Sequence, residues 1–282
     1  MLDRRLNAFR SDLADIRLKG RVEAERFVEG EPASVAVPVA ALRPHPDFRA
    51  SIDTQLLFGE TLTVFDRRDE WAFVQSDIDG YVGYLPEEEI SDAMEDATHW
   101  VAVPRTFVYP GPDLRFPHAG ELSMGSRVAI VGEEETRGTR YALMEGGGAV
   151  AAAHLLPVGT AAGDDYVAIA ARFLETPYLW GGRSGFGIDC SGLVQLAMMM
   201  AGASAPRDSD MQAAGLGQPV GREALRRGDL VFWKGHVGIM EDGETLLHAN
   251  GLTMTVAREN LDAAVERIGR LYDAPTGYRR PR

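Results

Sequence analysis

"GFGIDCSGLVQLAMMMAG", residues 185–202, holds the only cysteine of a 282-residue chain. Asp189 is a residue type that caps helices, and an apolar run follows it at once. The stretch therefore predicts a helix from Cys190 to about Ala201 with Asp189 as its N-cap. Cys190 would then occupy the first turn, among free backbone N–H groups and the positive end of the helix dipole. That environment favours thiolate over thiol. A cysteine is also a common small filler of apolar cores. A nucleophilic role needs a base within hydrogen-bond reach and a group that orients the base.

Six histidines are available. His45, His99, His118 and His154 lie in the repeats, mostly near Pro or Gly, and read as surface or structural residues. His236 and His248 differ, because they begin and nearly end two alternating runs, "HVGIM" (236–240) and "TLLHAN" (245–250), joined through "EDGET". Asp-Gly is a turn signal. With a three-residue loop Glu241-Asp242-Gly243 and Gly243 left-handed, 240 pairs with 244 and 236 pairs with 248. Two imidazoles opposed on one sheet face can hydrogen-bond, one orienting the other. One cysteine and two histidines are also a possible zinc set. No close ligand pair of the usual spacing is present, so neither a metal nor another cofactor is expected.

The remainder of the chain bounds the fold. Its composition is that of a globular protein, 45% hydrophobic and 25% charged, and its length suggests two or three domains. A formal charge of −13 argues against a general nucleic-acid binder or a protein of anionic membranes. The N-terminal "MLDRRLNAFRSDLADIRLKG" lacks an apolar core, so no secretory signal is read and a cytoplasmic location is expected. Residues 1–32 show helical apolar spacing and predict an exposed helical arm. An internal repeat follows: "PDFR" (46–49) returns as "PDLR" (112–115), and Gly59 and "TLTVF" (61–65) map at the same offset onto Gly125 and "SRVAIV" (126–131). Two all-β units are predicted, residues 33–92 and 93–159. The first keeps aromatics in "DEWAFVQSDIDGYVGYLP" (69–86) where the second has "MEGGGAVAAAHLLP" (144–157). The first is therefore the better equipped to meet a ligand. From 160 to 282 the pattern predicts helices at Tyr166–Glu175 and Cys190–Ala201. Strands follow at 229–233, 236–240, 245–250 and 267–273, giving an α+β domain.

"TPYLWGGRSGFGIDCSGLVQ" (176–195), "RRGDLVFWKGHVGIM" (226–240) and "LLHAN" (246–250) resemble the three motifs of the NlpC/P60 cysteine peptidases. Tandem bacterial SH3-type units ahead of such a domain further resemble the branch of γ-D-glutamyl-L-diamino acid endopeptidases of dipeptidyl-peptidase VI type. The resemblance implies two small SH3-like β-barrels before a permuted papain-like catalytic domain, with Cys190 as nucleophile, His236 as base and His248 as its orienting group. It implies the Tyr178 hydroxyl as an oxyanion donor beside the Cys190 N–H. The substrate implied is a murein stem peptide, cut between γ-D-glutamate and meso-diaminopimelate or lysine, with a free N-terminal L-alanine. Asp189 matches the amine-binding position; Ser191 and Ser209 match positions that hold polar groups of the peptide. Glu60 and Tyr81 are the matches to residues closing the amine end. Exported hydrolysis of intact wall, acyl transfer through the same thioester, and a non-catalytic SH3 binder remain as alternatives at this stage.

Overall fold

The computed structural model describes residues 2–93 and 96–281. The chain divides into two compact units, Met1–Val158 and Gly159–Arg282. No helix among the described residues is long and apolar enough to cross a membrane.

The first unit is all-β and carries its repeat into three dimensions. The antiparallel pair Val39–Leu42 with Thr54–Leu57 returns, 66 residues later, as Arg105–Val108 with Gly120–Ser123. The ladder of Thr61–Arg68 with Trp71–Ser76 breaks register between Val64 and Asp66, and that of Ile130–Thr136 with Thr139–Met144 breaks between Ile130 and Gly132. Both breaks are one-residue bulges at equivalent repeat positions, the local device that bends a small sheet around its core. Each repeat has its own apolar cluster: Val35, Leu42, Leu56, Leu62, Val74 and Leu85 in the first, Val101, Leu122, Val128, Ala142 and Val150 in the second.

The two repeats meet tightly at Gly59. Phe58 packs on the second cluster, and its carbonyl accepts the Arg127 N–H at 2.8 Å. Gly59 sits at φ +73°, and a Cβ there would lie 2.2 Å from the Arg127 carbonyl oxygen. Left-handed strain and the clash act together, so Gly59→Ala is expected to destabilise this unit by about 2–4 kcal/mol. Thermal unfolding of the purified variant checks this; an unchanged first-unit transition would contradict the packing described.

The helical arm expected over 1–32 is absent from the described residues. Leu13–Asp15 instead pairs in parallel with Arg26–Val28, with a 3-10 turn Ile16–Leu18 between them. Ala8 and Leu13 pack with Phe65, Phe73 and Val82. The spacing that read as helical serves a chain lying along a sheet, where tertiary packing overrides a weak local preference.

In the second unit, Asp165 caps α1 (Tyr166–Ala171) by accepting the Val167 N–H at 2.9 Å, and the helix stops earlier than the expected Glu175. Helix α2 spans Cys190–Met200 and is buried at every residue except Met199. It packs on the strands His236–Met240 and Thr245–Asn250. A short α3 (Ser209–Gly215) follows. The six-stranded sheet is antiparallel throughout, in the order 218–219, 277–280, 230–233, 236–240, 245–250, 255–260.

Two expectations are corrected here. Residues 267–273 are not a strand: α4 (Leu261–Leu271) covers most of them. Asn260 caps it by accepting the Asp262 and Ala263 N–H groups, and Leu261, Ala264 and Ile268 recur at helical spacing against the sheet. The hairpin register is also different. Met240 pairs with Leu246 and Ile239 with Leu247, not 240 with 244. Asp242 accepts the N–H groups of both Glu244 and Thr245, and the Glu241 N–H donates to the Thr245 carbonyl. Gly243 stays outside the left-handed region, so the turn is longer than the one assumed. The shift is two residues, and side chains alternate with period two, so His236 and His248 still share a face.

Candidate active site

Cys190 is the first residue of α2, and Asp189 is its N-cap, accepting the Gly192 N–H at 2.7 Å. The same carboxylate accepts the Gly181 N–H at 3.0 Å and faces the Ser191 hydroxyl at 3.3 Å. It is clamped by Arg207, whose Nη1 and Nη2 reach Oδ1 and Oδ2 at 3.0 and 2.7 Å. Arg207 is 1% exposed and also donates to the Ser191 hydroxyl and the Gly182 carbonyl. A planar guanidinium matched to a carboxylate is the geometry that holds a buried charge pair. The start of α2 is thus fixed by a cap and an ion pair in one side chain.

The backbone N–H groups of Val237 and Ser191 act on the sulfur in favour of the thiolate. Burial still dominates: it pushes the Cys190 thiol up to about 12, with the charge of Asp189 acting in the same direction. This reverses the sequence expectation, since desolvation outweighs the donors at the helix start.

His236 begins its strand next to Val237, and its Nε2 lies 3.0 Å from His248 Nδ1. The rings approach diagonally across the ladder, with centroids 5.2 Å apart. Trp233, 5.6 Å from His236 by ring centroids, packs beside that imidazole. Burial first, then the neighbouring His248, lowers His236 to about 3. The site at rest is therefore a neutral thiol and a neutral imidazole. His248 is 1% exposed, and its Nε2 lies 3.2 Å from Glu259 Oε2, off the N–H axis of the ring. Glu259 is held by Arg267 of α4 through Nε at 2.9 Å and Nη2 at 2.6 Å.

Tyr178 is half-buried and anchored by its N–H to the Met254 carbonyl at 2.8 Å. Burial raises its phenol, followed by the charges of Cys190 and Asp189, so the hydroxyl is a donor at every ordinary pH. Ser191 is buried and already bonded to Asp189 and Arg207; Ser209 is partly exposed at the first position of α3. Glu60 and Tyr81 belong to the first unit. Glu60 is fully buried, with the Leu57 N–H donating to Oε2 at 2.9 Å, rather than a solvated turn charge. Tyr81 is 3% exposed within the first apolar cluster. The second unit places Asp189 and Ser191 around Cys190 at the start of α2, with Tyr178 close enough to feel the charges of Cys190 and Asp189, and pairs His236 with His248 on the adjoining sheet. It adds Arg207, Glu259 and Arg267, which sequence reasoning missed. Arg207 lies two residues before Ser209, in "PRDSD" (206–210); Glu259 lies on a strand that was not anticipated.

A model of the NlpC/P60 family matches residues 175–266, and one described as a bacterial dipeptidyl-peptidase SH3 domain matches residues 42–90. Two relatives are named gamma-D-glutamyl-L-lysine dipeptidyl-peptidase. The one from Bacillus subtilis is 32% identical over 219 residues, covering 70% of this chain and 72% of the relative. The one from Bacillus cereus is 30% identical over 204 residues, covering 64% of this chain, and the match spans 60% of that relative's length. A dipeptidyl-peptidase 6 from Lysinibacillus sphaericus is 25% identical over 237 residues, 77% of this chain and 87% of the relative. A solved NlpC/P60 family protein from Bacillus cereus superposes with a TM-score of 0.73 over 89% of this chain and 99% of that one. Their identity is 23%, so the likeness is one of fold.

Proposed function

Because this chain belongs to the NlpC/P60 family and carries an SH3 domain of the bacterial dipeptidyl-peptidase type, we propose that it is a cysteine endopeptidase of peptidoglycan stem peptides. It cuts the bond between γ-D-glutamate and L-lysine or meso-diaminopimelate in short peptides that carry a free N-terminal L-alanine. The observation that carries this reading is Cys190 at the capped start of α2, a helix packed on the strand that His236 begins, together with the 3.0 Å His236–His248 pair.

His236 Nε2 is engaged with His248, which leaves Nδ1 as the base. From a neutral pair, the Cys190 proton passes to His236 as sulfur attacks the amide carbon. The oxyanion is met by the Cys190 N–H and the Tyr178 hydroxyl. Collapse breaks the C–N bond, and His236 returns the proton to the leaving amine of the diamino acid. Water, deprotonated by His236, then cleaves the thioester and restores the thiol.

For the L-alanine ammonium, Asp189 Oδ2 is the better of two acceptors, with two donors against three on Oδ1. An N-acyl group removes that charge and leaves the acceptor unpaired, a penalty that discriminates strongly. Glu60 and Tyr81, both of the first unit, are assigned to amine recognition by the resemblance alone.

The test is mass spectrometry of L-Ala-γ-D-Glu-meso-diaminopimelate and its L-lysine counterpart incubated with the protein, beside their N-acetylated forms and intact sacculi. Release of L-Ala-D-Glu from the free peptides alone is expected, with preference for one diamino acid. Equal cleavage of acetylated peptide or sacculi would point to a wall hydrolase and remove Asp189, Glu60 and Tyr81 from amine recognition. Ligated products in the presence of added amines would instead indicate acyl transfer.

A further inference from the structure

We infer that Glu259, held by Arg267, is a positioning residue that sets the direction of the hydrogen bond between His248 and His236, and with it which His236 nitrogen is left with a lone pair. The inference rests on the peptidase reading of this site and adds to it a fourth and fifth member outside the three motifs.

The placement follows from the ladder. Leu246 pairs with Glu259, and His248 with Ala257, so the Glu259 and His248 side chains lie on one face at diagonal positions. Helix α4 covers that face and supplies Arg267. Glu259 Oε2 is shared: it accepts Arg267 Nη2 at 2.6 Å and lies 3.2 Å from His248 Nε2, while Oε1 takes Arg267 Nε at 2.9 Å.

The chemistry then has one consistent solution. An ionised carboxylate only accepts, so a neutral His248 carries its proton on Nε2. Its Nδ1 is then a lone pair, and it can only accept. The partner nitrogen 3.0 Å away, His236 Nε2, must therefore be the donor. A neutral His236 protonated on Nε2 has its lone pair on Nδ1, the nitrogen left for the thiol. Without Glu259, His248 is free to carry its proton on Nδ1. His236 would then accept through Nε2, carry its own proton on Nδ1, and present a donor where the reaction needs a base. In serine proteases the orienting carboxylate exerts the same control over a base, directly and not through a second imidazole.

The two substitutions at this position separate direction from charge. Glu259→Gln places its amide oxygen best at the shared Oε2 position, because its amide group there would face donors from both Arg267 and His248. It keeps the acceptor and loses the charge. Glu259→Leu removes both. The expected result for Glu259→Leu is a fall in kcat of about 10- to 100-fold with KM within about threefold of wild type, smaller than for a carboxylate bound directly to the base. Glu259→Gln is expected to restore most of the rate, with the acid limb of its pH profile moved to lower pH, since a charge that raises the His236 pKa is gone.

Long-range proton–nitrogen NMR of ring-labelled full-length protein reads the tautomers without any substrate. Signals are assigned by single substitution of His236 and His248. Wild type is expected to show both rings protonated on Nε2, with that preference lost in Glu259→Leu and kept in Glu259→Gln. His248 protonated on Nδ1 in wild type would overturn the inference, as would unchanged tautomers and kcat in folded Glu259→Leu. A wild-type protein that shows these tautomers but cleaves none of the peptides would refute the substrate reading and leave the positioning role standing.

Discussion

Cys190→Ala and His236→Ala are each expected to lower kcat/KM for the released peptide by about 10⁴- to 10⁶-fold, and the double substitution to lower it no further. Residues that act as one unit lose their joint effect when either is removed. Neither change should unfold the domain, because the Asp189 cap and the Arg207 clamp are retained. Peptide release followed by mass spectrometry gives the rates, and thermal unfolding confirms the fold. A residual rate within about tenfold of wild type in either variant would exclude the assigned roles. The pH profile adds a sign. Burial lowers His236 to about 3, so the neutral base persists as pH falls from 7 through 5. An ordinary histidine, near 6.5, would already be mostly protonated at pH 5. The profile of kcat/KM reports the free enzyme. It is expected to stay nearly flat between pH 7 and 5, and a loss centred near 6.5 would contradict the buried, neutral pair.

Arg207→Ala is expected to produce the largest loss of stability, about 3–5 kcal/mol, because it strands the Asp189 carboxylate without its counter-charge. A domain's whole stability is about 5–15 kcal/mol. The variant is therefore expected to unfold its catalytic unit at a much lower urea concentration. Arg207→Lys would recover only part of the loss, since an ammonium cannot reproduce two parallel bonds to one carboxylate. Adding Asp189→Asn to Arg207→Ala should recover some stability by removing the stranded charge, even though the cap weakens. Denaturation curves for wild type, Arg207→Ala, Asp189→Asn and the double variant close the cycle. A loss under about 1 kcal/mol for Arg207→Ala would show that water, not Arg207, compensates Asp189.

The parts of this architecture that sequence reasoning reached were those written in short-range chemistry. Asp189 before an apolar run gave the start of α2 to the residue, and the "PDFR"/"PDLR" offset of 66 is the interval at which the structure repeats its hairpins and bulges. The pairing of His236 with His248 was reached through a mistaken register. The turn is governed by Asp242 binding two backbone N–H groups rather than by Gly243, and the contact survived because a shift of two preserves the face. Residues 1–32 and 267–273 were misread because isolated apolar residues among charges fit a helix or a strand equally well until the surface they cover is known. Arg207 and Glu259 were beyond reach for a related reason. A charged residue gives no local sign that it will be buried, and each gains its role only when a distant segment supplies a partner.

The chain places three functions on three consecutive residues, 189 to 191: a carboxylate that caps the helix, the sulfur, and a hydroxyl bound to the same guanidinium as the carboxylate. A protein built this way has little freedom to evolve or be engineered toward new peptides at that point. If Asp189 reads the amine and Cys190 attacks, as proposed, any exchange at 189 that suits a different amine end also shifts the seat of the sulfur, so selectivity and reactivity cannot be changed separately there. Diversification has room only in segments outside this three-residue joint, such as the partly exposed start of α3 and the solvent-facing Trp180 and Leu252. Variation in substrate among natural or designed descendants should be sought in those segments first.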